Sequence, residues 1–127
     1  MIADAIRQAQ RMHRAAIEQT YDGRCTVRVQ KKVRKENKST GFEEEILLEN
    51  QPCRIIFKSV QAAGEAEPAA GVSQDIRMLI APEAEILAGS RITVTQNGMT
   101  QDYSQSGIPA VYVTHQEIQL KLFERYA

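Results

Sequence analysis

The stretch from Ala88 to Tyr126, AGSRITVTQNGMTQDYSQSGIPAVYVTHQEIQLKLFERY, decides the fold because it contains the clearest hairpin signal in the chain. Ile92 and Val94 alternate with polar residues, and Asn97-Gly98 follows almost at once. Both central residues of a two-residue type I′ turn need a positive φ angle, which Asn and Gly tolerate best. The stretch therefore predicts a tight β-hairpin.

Two more candidate strands lie beyond this hairpin, at Ala110–Val113 and Glu117–Phe123. The breaker Ser106–Pro109 separates them from it. Four strand-like segments within forty residues predict an antiparallel meander, to which the earlier part of the chain must be fitted.

Length and composition indicate one soluble globular domain. The chain has 127 residues, 43% hydrophobic and 25% charged, and no apolar run approaches the roughly 18 residues of a membrane span. Cys25 and Cys53 are the only cysteines, and each lies in a strand-like run. We interpret them as small buried hydrophobic residues rather than a disulfide, which favours production in the cytoplasm.

The zero net charge conceals two opposed halves. Residues 1–41 hold ten Lys/Arg and four Asp/Glu, which is +6, whereas residues 42–127 hold six and twelve, which is −6. Such a chain can associate head to tail by electrostatic complementarity, or neutralise itself within one fold.

An amphipathic helix is predicted over residues 2–19 because apolar residues recur there at i, i+3 and i+4. The glycine of Tyr21-Asp22-Gly23 stands where helices usually end. The opposite face carries Arg7, Arg11 and Arg14 one turn apart, a stripe that is either solvated, bound to a partner subunit, or in contact with nucleic acid.

A long charged hairpin follows the helix. The first strand begins near Arg24 and continues through the basic run Gln30–Lys35, and Phe42–Leu48 begins the return strand. A turn centred near 38–39 would place Lys35 opposite Glu43 and Arg34 opposite Glu44, so that the charges neutralise each other. This argues against DNA binding by the basic run and favours an arm that reaches an adjacent subunit. The predicted contacts between subunits are Arg7, Arg11, Arg14, Lys31, Lys32, Arg34, Lys35, Glu43, Glu44 and Glu45.

The middle of the chain predicts a break, a strand and a long loop. Gln51-Pro52 breaks the chain, and Cys53–Phe57 reads as a short buried strand. The segment Lys58–Gly71 is rich in Ala, Gly and Glu with little to bury, which is typical of a functional or disordered loop. In Val72–Ala81, Ile76, Met78 and Ile80 alternate with other residues and indicate a strand.

These segments predict a mainly β fold: a small antiparallel β-barrel with an N-terminal amphipathic helix and long loops. We expect a single domain over 1–127, divided into the helix (1–20), the first strands with the charged hairpin (24–57), the flexible loop (58–71) and the barrel meander (72–127).

No catalytic constellation, metal site or cofactor motif is present in the sequence, so we expect a protein that is not an enzyme. His115 near Glu117 suggests a general base, but without a nucleophile or pocket a structural hydrogen bond is the better interpretation. Glu43–Glu45 cannot converge on a cation, because consecutive strand residues point to opposite faces.

A family pattern is spread along nearly the whole chain. It consists of Tyr21-Asp22-Gly23-Arg24-Cys25-Thr26-Val27, Gly41-Phe42-Glu43, Pro52-Cys53-Arg54-Ile55, Val72-Ser73-Gln74, Pro82-Glu83, Ile86, Gly89-Ser90, Ile92–Gly98, Tyr103, Ser106-Gly107, Pro109, Tyr112, Thr114-His115-Gln116-Glu117-Ile118 and Leu120. This pattern resembles the head-completion (head–tail joining) proteins of tailed phages and PBSX-like prophage elements of Gram-positive bacteria, in particular the small stopper-type connectors.

The resemblance implies a non-enzymatic protein of the virion neck. Copies of the chain would form a ring, twelvefold on the particle although monomeric in isolation, between the portal or adaptor ring and the tail completion protein. That ring would close the head, retain the packaged DNA that passes through its channel and receive the tail, without any membrane. The loop would project into the lumen as a gate through Ser59, Gln61, Glu65, Glu67 and Pro68.

Two alternatives stay open at this point. The long N-terminal helix leaves room for a related neck role, as an adaptor or tail completion protein. A small-barrel nucleic-acid binder would instead use the arginine stripe and the run Lys31–Lys35, and would show a steep loss of DNA affinity with salt.

Deletion of Ala62–Ala70 tests the gate role of the loop. We expect the shortened protein to fold normally, as judged by circular dichroism, while particles that carry it leak packaged DNA. Nuclease-resistant DNA per particle measures the leak, and retention equal to that of the full-length chain would contradict the gate.

Overall fold

The structure is a computed structural model that describes residues 1–34, 36, 40–61 and 72–126, with residues 59–61, 72 and 73 described for the backbone only. Within these residues, one helix precedes seven strands: α1 (Ile2–Glu18), β1 (Gly23–Arg34), β2 (Thr40–Gln61), β3 (Val72–Ile80), β4 (Arg91–Gln96), β5 (Met99–Gln105), β6 (Ala110–Val111) and β7 (Gln116–Leu122). The predicted helix and the mainly β class are confirmed.

Six of the strands pair in a closed ring. The order is β3-β2-β1-β4-β5-β7, every pairing is antiparallel, and β7 pairs back with β3. The short strand β6 pairs with the beginning of β7, on the side where β5 pairs with its end. Closure in this way leaves few unpaired backbone groups along the ring itself.

The core lies inside the ring and follows the two-residue period of its strands. Each strand turns alternate side chains inward, so that the core consists of Cys25, Val27, Cys53, Ile55, Ile76, Met78, Ile80, Ile92, Val94, Tyr103, Ile118 and Leu120. Cys25 and Cys53 are both buried free thiols, as predicted. The hydrogen bond with Cys25, together with burial, raises the pKa of the Cys53 thiol, so it stays protonated.

The Asn97-Gly98 hairpin forms as predicted between β4 and β5. Asn97 has φ 53° and Gly98 has φ 77°, the two positive values that a type I′ turn requires. Gly89, with φ 84°, likewise makes the corner before β4.

The predicted simple meander is wrong beyond β5. Strand β7, not β6, lies beside β5, and β7 also pairs with β3. The apolar residues Ile118 and Leu120 on β7 are buried, so this strand takes the central position. Strand β6 covers only Ala110–Val111 of the predicted Ala110–Val113, and both of its residues are exposed.

The predicted break at Gln51-Pro52 is also wrong, because β2 continues through it. Strand β3 ends at Ile80, opposite Cys53, so it does not extend beside Pro52. The backbone of Ile55 bonds on the β1 side, and by alternation the nitrogen of Pro52 points to the β3 side. The missing N–H of proline therefore costs no ladder hydrogen bond.

Two β-bulges in β2 shift its register against β1, between Cys25 and Val27 and between Val27 and Arg28. Asn50 adopts φ 50° beside the first of them, and its N–H donates to Thr26 Oγ1 at 3.2 Å. Bulges increase local twist and bend the strand that carries them. They bend β2 where it leaves the ring.

The charged hairpin has a different register from the predicted one. Lys31 lies opposite Glu43, and Arg34 lies opposite Thr40 rather than Glu44. The register therefore differs from the predicted one by four residues, since Arg34 was expected opposite Glu44. Lys35, which was expected opposite Glu43, lies outside the described residues.

The predicted loop Lys58–Gly71 begins too early. Residues Lys58–Gln61 belong to β2 and pair with Val72–Asp75 of β3. Ser59 and Gln61 of the predicted gate therefore lie in a strand. Glu65, Glu67 and Pro68 lie outside the described residues.

Gly23 begins β1 rather than capping the helix. The helix ends at Glu18, its C-cap residue Gln19 still has helical φ and ψ, and Gly23 has no positive φ. A Cβ atom at Gly23 would lie 2.8 Å from Gln96 Oε1. The Gln96 side chain passes there to reach β2: Ile55 N–H donates to Gln96 Oε1 at 2.7 Å, and Gln96 Nε2 donates to Ile55 O at 3.0 Å. The Gln96 amide thus occupies the position opposite Ile55 that a β1 residue preceding Gly23 would otherwise fill.

Replacing Gln96→Ala should destabilise the protein by about 3 kcal/mol, because two buried backbone groups of Ile55 lose their partners. Chemical denaturation in urea measures this change. Gln8→Ala on the exposed face of α1 is the control, with an expected change under about 0.5 kcal/mol. Equal midpoints for the two variants would contradict the role of Gln96 in closing the ring.

Candidate assembly surfaces

Helix α1 contributes no buried residue to the fold. Its apolar stripe is exposed to solvent: Ile2 is 81% exposed, Ile6 53% and Met12 66%. Single exposed apolar residues are common on protein surfaces, but a whole amphipathic stripe without a cover is not. The stripe therefore needs a cover that the described part of the chain does not supply.

The attachment of α1 to the sheet explains why its stripe stays uncovered. The partly buried residues of the helix are Gln10, Arg14, Ile17 and Glu18. At 100° per residue, this flank lies roughly a third of a turn away from the centre of the apolar stripe. The helix thus contacts the rest of the protein through this flank, near its C-terminal end, and its apolar stripe points toward solvent.

A bidentate ion pair fixes this attachment. Arg14 Nη1 and Nη2 donate to the two carboxylate oxygens of Glu83 at 2.7 and 2.8 Å, and Arg14 Nε donates to Glu18 at 3.2 Å. Parallel bonds of this kind give directional binding. The bonds from Arg14 hold the pKa of Glu83 below its usual range, and the bonds to Glu83 and Glu18 raise the pKa of Arg14.

The loop that carries Glu83 is itself held by a buried glutamine. Gln116, which is 4% exposed, donates from Nε2 to the backbone oxygens of Ala81 at 2.9 Å and Ala84 at 2.6 Å. This is a structural role for one residue of the Thr114–Ile118 motif. Because Gln116 begins β7, the helix is connected through Glu83 to the centre of the sheet.

His115 makes local contacts in the same motif. Its ring nitrogens lie 2.9 Å from Thr114 Oγ1 and 3.4 Å from Glu117 Oε1, and the ring stacks on Tyr112 at a centroid distance of 5.0 Å. The Tyr112 N–H donates to the His115 carbonyl oxygen. These contacts close the turn between β6 and β7.

The charged hairpin projects beyond the ring as a two-stranded ribbon, which we define as residues 29–34 of β1 and 40–48 of β2. Lys31, Lys32 and Arg34 are exposed on one strand, and Glu43, Glu44 and Glu45 on the other. Six predicted contact residues are therefore on the surface of this ribbon. Of the helix arginines, Arg7 pairs with Asp4 at 3.3 Å and Arg14 with Glu83, so the basic stripe is partly neutralised.

The base of the ribbon is tied to the ring through Glu44. Arg91 Nη2 lies 2.9 Å from one of its oxygens, and Tyr126 donates its hydroxyl to the carboxylate. Burial and this bond raise the pKa of Tyr126 to about 12. The far end of the ribbon has no such ties among the described residues.

Two apolar surfaces were not predicted from the sequence. Ile108, Val111, Tyr112 and Val113 form an exposed run around β6, with Ile108 93% exposed. A cavity of about 290 Å³ opens at one end of the ring and is lined by core residues together with the exposed Phe57, Met99 and Leu122. The signal for the first was present, since IPAVYV is the longest apolar run after the hairpin.

No family model matches the sequence, and no curated protein matches it. Among solved structures, it is similar to the phage-like element PBSX protein xkdH from Bacillus subtilis, at 12% identity and a TM-score of 0.47. The similarity covers 78% of this chain and 91% of that chain. In the described part of the chain, no helix is both long and apolar enough to cross a membrane.

The Arg14–Glu83 pair should control the direction of α1. A fluorophore attached through Gln8→Cys reports the motion of the helix by its anisotropy. We expect Arg14→Ala to lower the anisotropy with little change in stability, because exposed ion pairs contribute about 0–1 kcal/mol.

Arg7→Ala is the matched control, since its ion pair lies within the helix. The Arg14–Glu83 pair contributes its full stabilisation at pH values above the usual pKa of glutamate. This stabilisation is lost as the pH falls through the lowered pKa of Glu83. The anisotropy of the natural sequence should therefore fall only in strong acid. Equal anisotropy for the two arginine variants at neutral pH would contradict the clamp.

Proposed function

We propose that this protein is a non-enzymatic structural component of the neck of a tailed phage or prophage element. In this role copies of the chain form a ring between the portal or adaptor ring and the tail, close the head and provide the attachment site for the tail. The proposal interprets the closed ring of strand pairings as the small antiparallel β-barrel of stopper-type connectors.

The observation that carries the proposal is the uncovered helix. The core of the ring is complete without α1, which contributes no buried residue. Yet the helix has a full apolar stripe and a fixed attachment through Arg14. A side of a helix that is apolar, exposed and held in a defined direction is what a subunit needs to bind a neighbour.

The distribution of charge supports assembly with further subunits. The +6 half of the chain includes α1 and the basic strand of the ribbon, and the −6 half includes its acidic strand and the rest of the sheet. Complementary charge of this kind speeds association and fixes the orientation of partners more than it adds affinity. A neck ring must bind a partner on each face, so surfaces of both signs suit it.

The sequence resemblance supplies the identity of the partners. It extends from Tyr21 to Leu120 and includes the Thr114–Ile118 motif, whose Gln116 holds the loop that anchors α1. On this proposal the portal or adaptor ring lies on one face and the tail completion protein on the other. Packaged DNA passes through the channel, and the protein acts by assembly and mechanical closure rather than by chemistry.

The proposal places the function in two parts that project from the ring. The helix is held in its C-terminal half, so its first two turns, whose residues are all exposed, form an arm. The ribbon is tied at its base by Glu44 and extends with opposite charges on its two strands.

Introducing a charge into the stripe should separate folding from assembly. Ile6→Glu lies on an exposed position, so we expect a stability change within about 0.5 kcal/mol. Incorporation into particles should fall strongly, because burying an unpaired carboxylate at an interface is costly. Quantitative mass spectrometry of purified particles measures the copies per particle.

Gln8→Glu is the matched control, since it adds the same charge on the polar side of α1. Cryo-electron microscopy of the particles locates the chain directly. Density for the chain outside the neck, or its absence from particles of the natural sequence, would contradict the proposed function. Equal incorporation of the two variants would remove α1 from the assembly surface.

A further inference from the structure

The two strands of the ribbon each have an edge without a strand partner among the described residues. Strand β1 pairs with β4 only as far as Arg28, so its residues beyond that point pair with β2 alone. Strand β2 pairs with β3 only from Cys53 onward, so residues 40–50 have no partner in β3. A groove of about 250 Å³ lies beside the β1 edge, between Gln30 and Ala88–Gly89.

These edges present backbone groups in known directions. The backbone of Ile55 bonds on the β1 side, so by alternation Cys53 and its partner Gly23 face each other. Strand β1 has no inserted residue. By alternation, the N–H and C=O groups of Gln30, Lys32 and Arg34 face away from β2. An edge of this kind is a template for another strand.

Charge determines which strand such an edge accepts. The β1 edge carries Lys31, Lys32 and Arg34, and the β2 edge carries Glu43, Glu45 and Glu49, all exposed. Two β1 edges repel each other, and so do two β2 edges. Charged residues on edge strands usually prevent pairing with another strand. Here the two edges have opposite signs, so charge excludes β1 against β1 and β2 against β2 but allows β1 against β2.

We propose that the ribbons of neighbouring copies pair edge to edge, with the β1 edge of one copy against the β2 edge of the next. The occupant of each edge is thus a second copy of this chain. The contact is heterologous, so it repeats around a closed ring when the rotation between copies allows. It rests on the proposed function only in that the neck ring needs a repeated contact between copies.

Substitutions at Lys32 separate backbone pairing from charge. Lys32→Pro removes an N–H that faces away from β2, so the ribbon keeps its backbone pairing. The residue opposite Lys32 is the uncharged Phe42, so neither substitution breaks a charge pair between directly opposite residues of the ribbon. Lys32→Gln removes the charge and keeps the N–H. We expect the proline variant to associate about tenfold more weakly than the glutamine variant, through a lost hydrogen bond and a blocked approach.

Charge exchange identifies the partner edge. The first variant is Lys32→Glu with Arg34→Glu, and the second is Glu45→Lys with Glu49→Lys. Each alone should fail to associate where the natural sequence does, because its like-charged edges repel. A 1:1 mixture should associate, since each edge then meets one of opposite charge on the other variant. Lys121→Glu with Arg125→Glu is the control of equal charge change, outside the ribbon.

Because the resemblance implies a monomer in dilute solution, sedimentation velocity follows a concentration series up to the highest soluble concentration, at low and high salt. We expect the natural sequence to associate at the top of this series and its association to weaken with salt. The proposal is overturned if the natural sequence stays monomeric throughout, if the mixture does not associate, or if the proline and glutamine variants behave alike. These results leave the location of the chain in particles unaffected. The neck role instead fails if the chain is absent from the neck, even when the ribbons pair in solution.

Discussion

The structure depends on the closure of its sheet at the point where β1 begins. Six strands can pair in a ring only if each backbone edge finds a partner, and β1 begins opposite Cys53, two residues short of Ile55. The amide of Gln96 fills this position with a donor and an acceptor in the geometry of a peptide group, at 3.0 and 2.7 Å. Gly23 leaves the space for it, since a side chain there would meet the amide oxygen.

The core is formed by side chains of the closed ring, so helix α1, the ribbon and β6 contribute little to it. Helix α1 rests against the ring through polar contacts, and the ribbon and β6 project from it. A small domain buries a smaller fraction of its chain than a large one, so its core depends on the apolar residues that it has. Here Ile2, Ile6, Met12 and the Ile108–Val113 run remain outside the core, and on the proposed function an assembly covers them.

The features that the sequence predicted are those set by neighbours along the chain. The Asn97-Gly98 turn, the alternation of Ile76, Met78 and Ile80, and the helix follow from local geometry. The hairpin register and the place of β7 depend on partners far away in sequence. The predicted break at Pro52 was wrong because β3 ends before it reaches the position beside Pro52. Among the candidate surfaces, the helical period predicted an apolar stripe on α1. It did not predict the side on which Arg14 attaches the helix to the sheet. Gln96 and Gln116 read as ordinary polar strand residues, and only the fold reveals the backbone groups that they satisfy.

The two bulges of β2 have a consequence for how the length of this chain can vary. Each bulge sets two residues of β2 against one of β1, so the extra residue is absorbed at the bulge and the pairs beyond it keep their partners and faces. Glu43 accordingly lies opposite Lys31 with both extra residues present. Loss of either residue would close its bulge and reduce the local twist, while the order of pairs along the ribbon would stay the same. The length of the chain can therefore vary by single residues here without exposing the opposite face of the acidic strand.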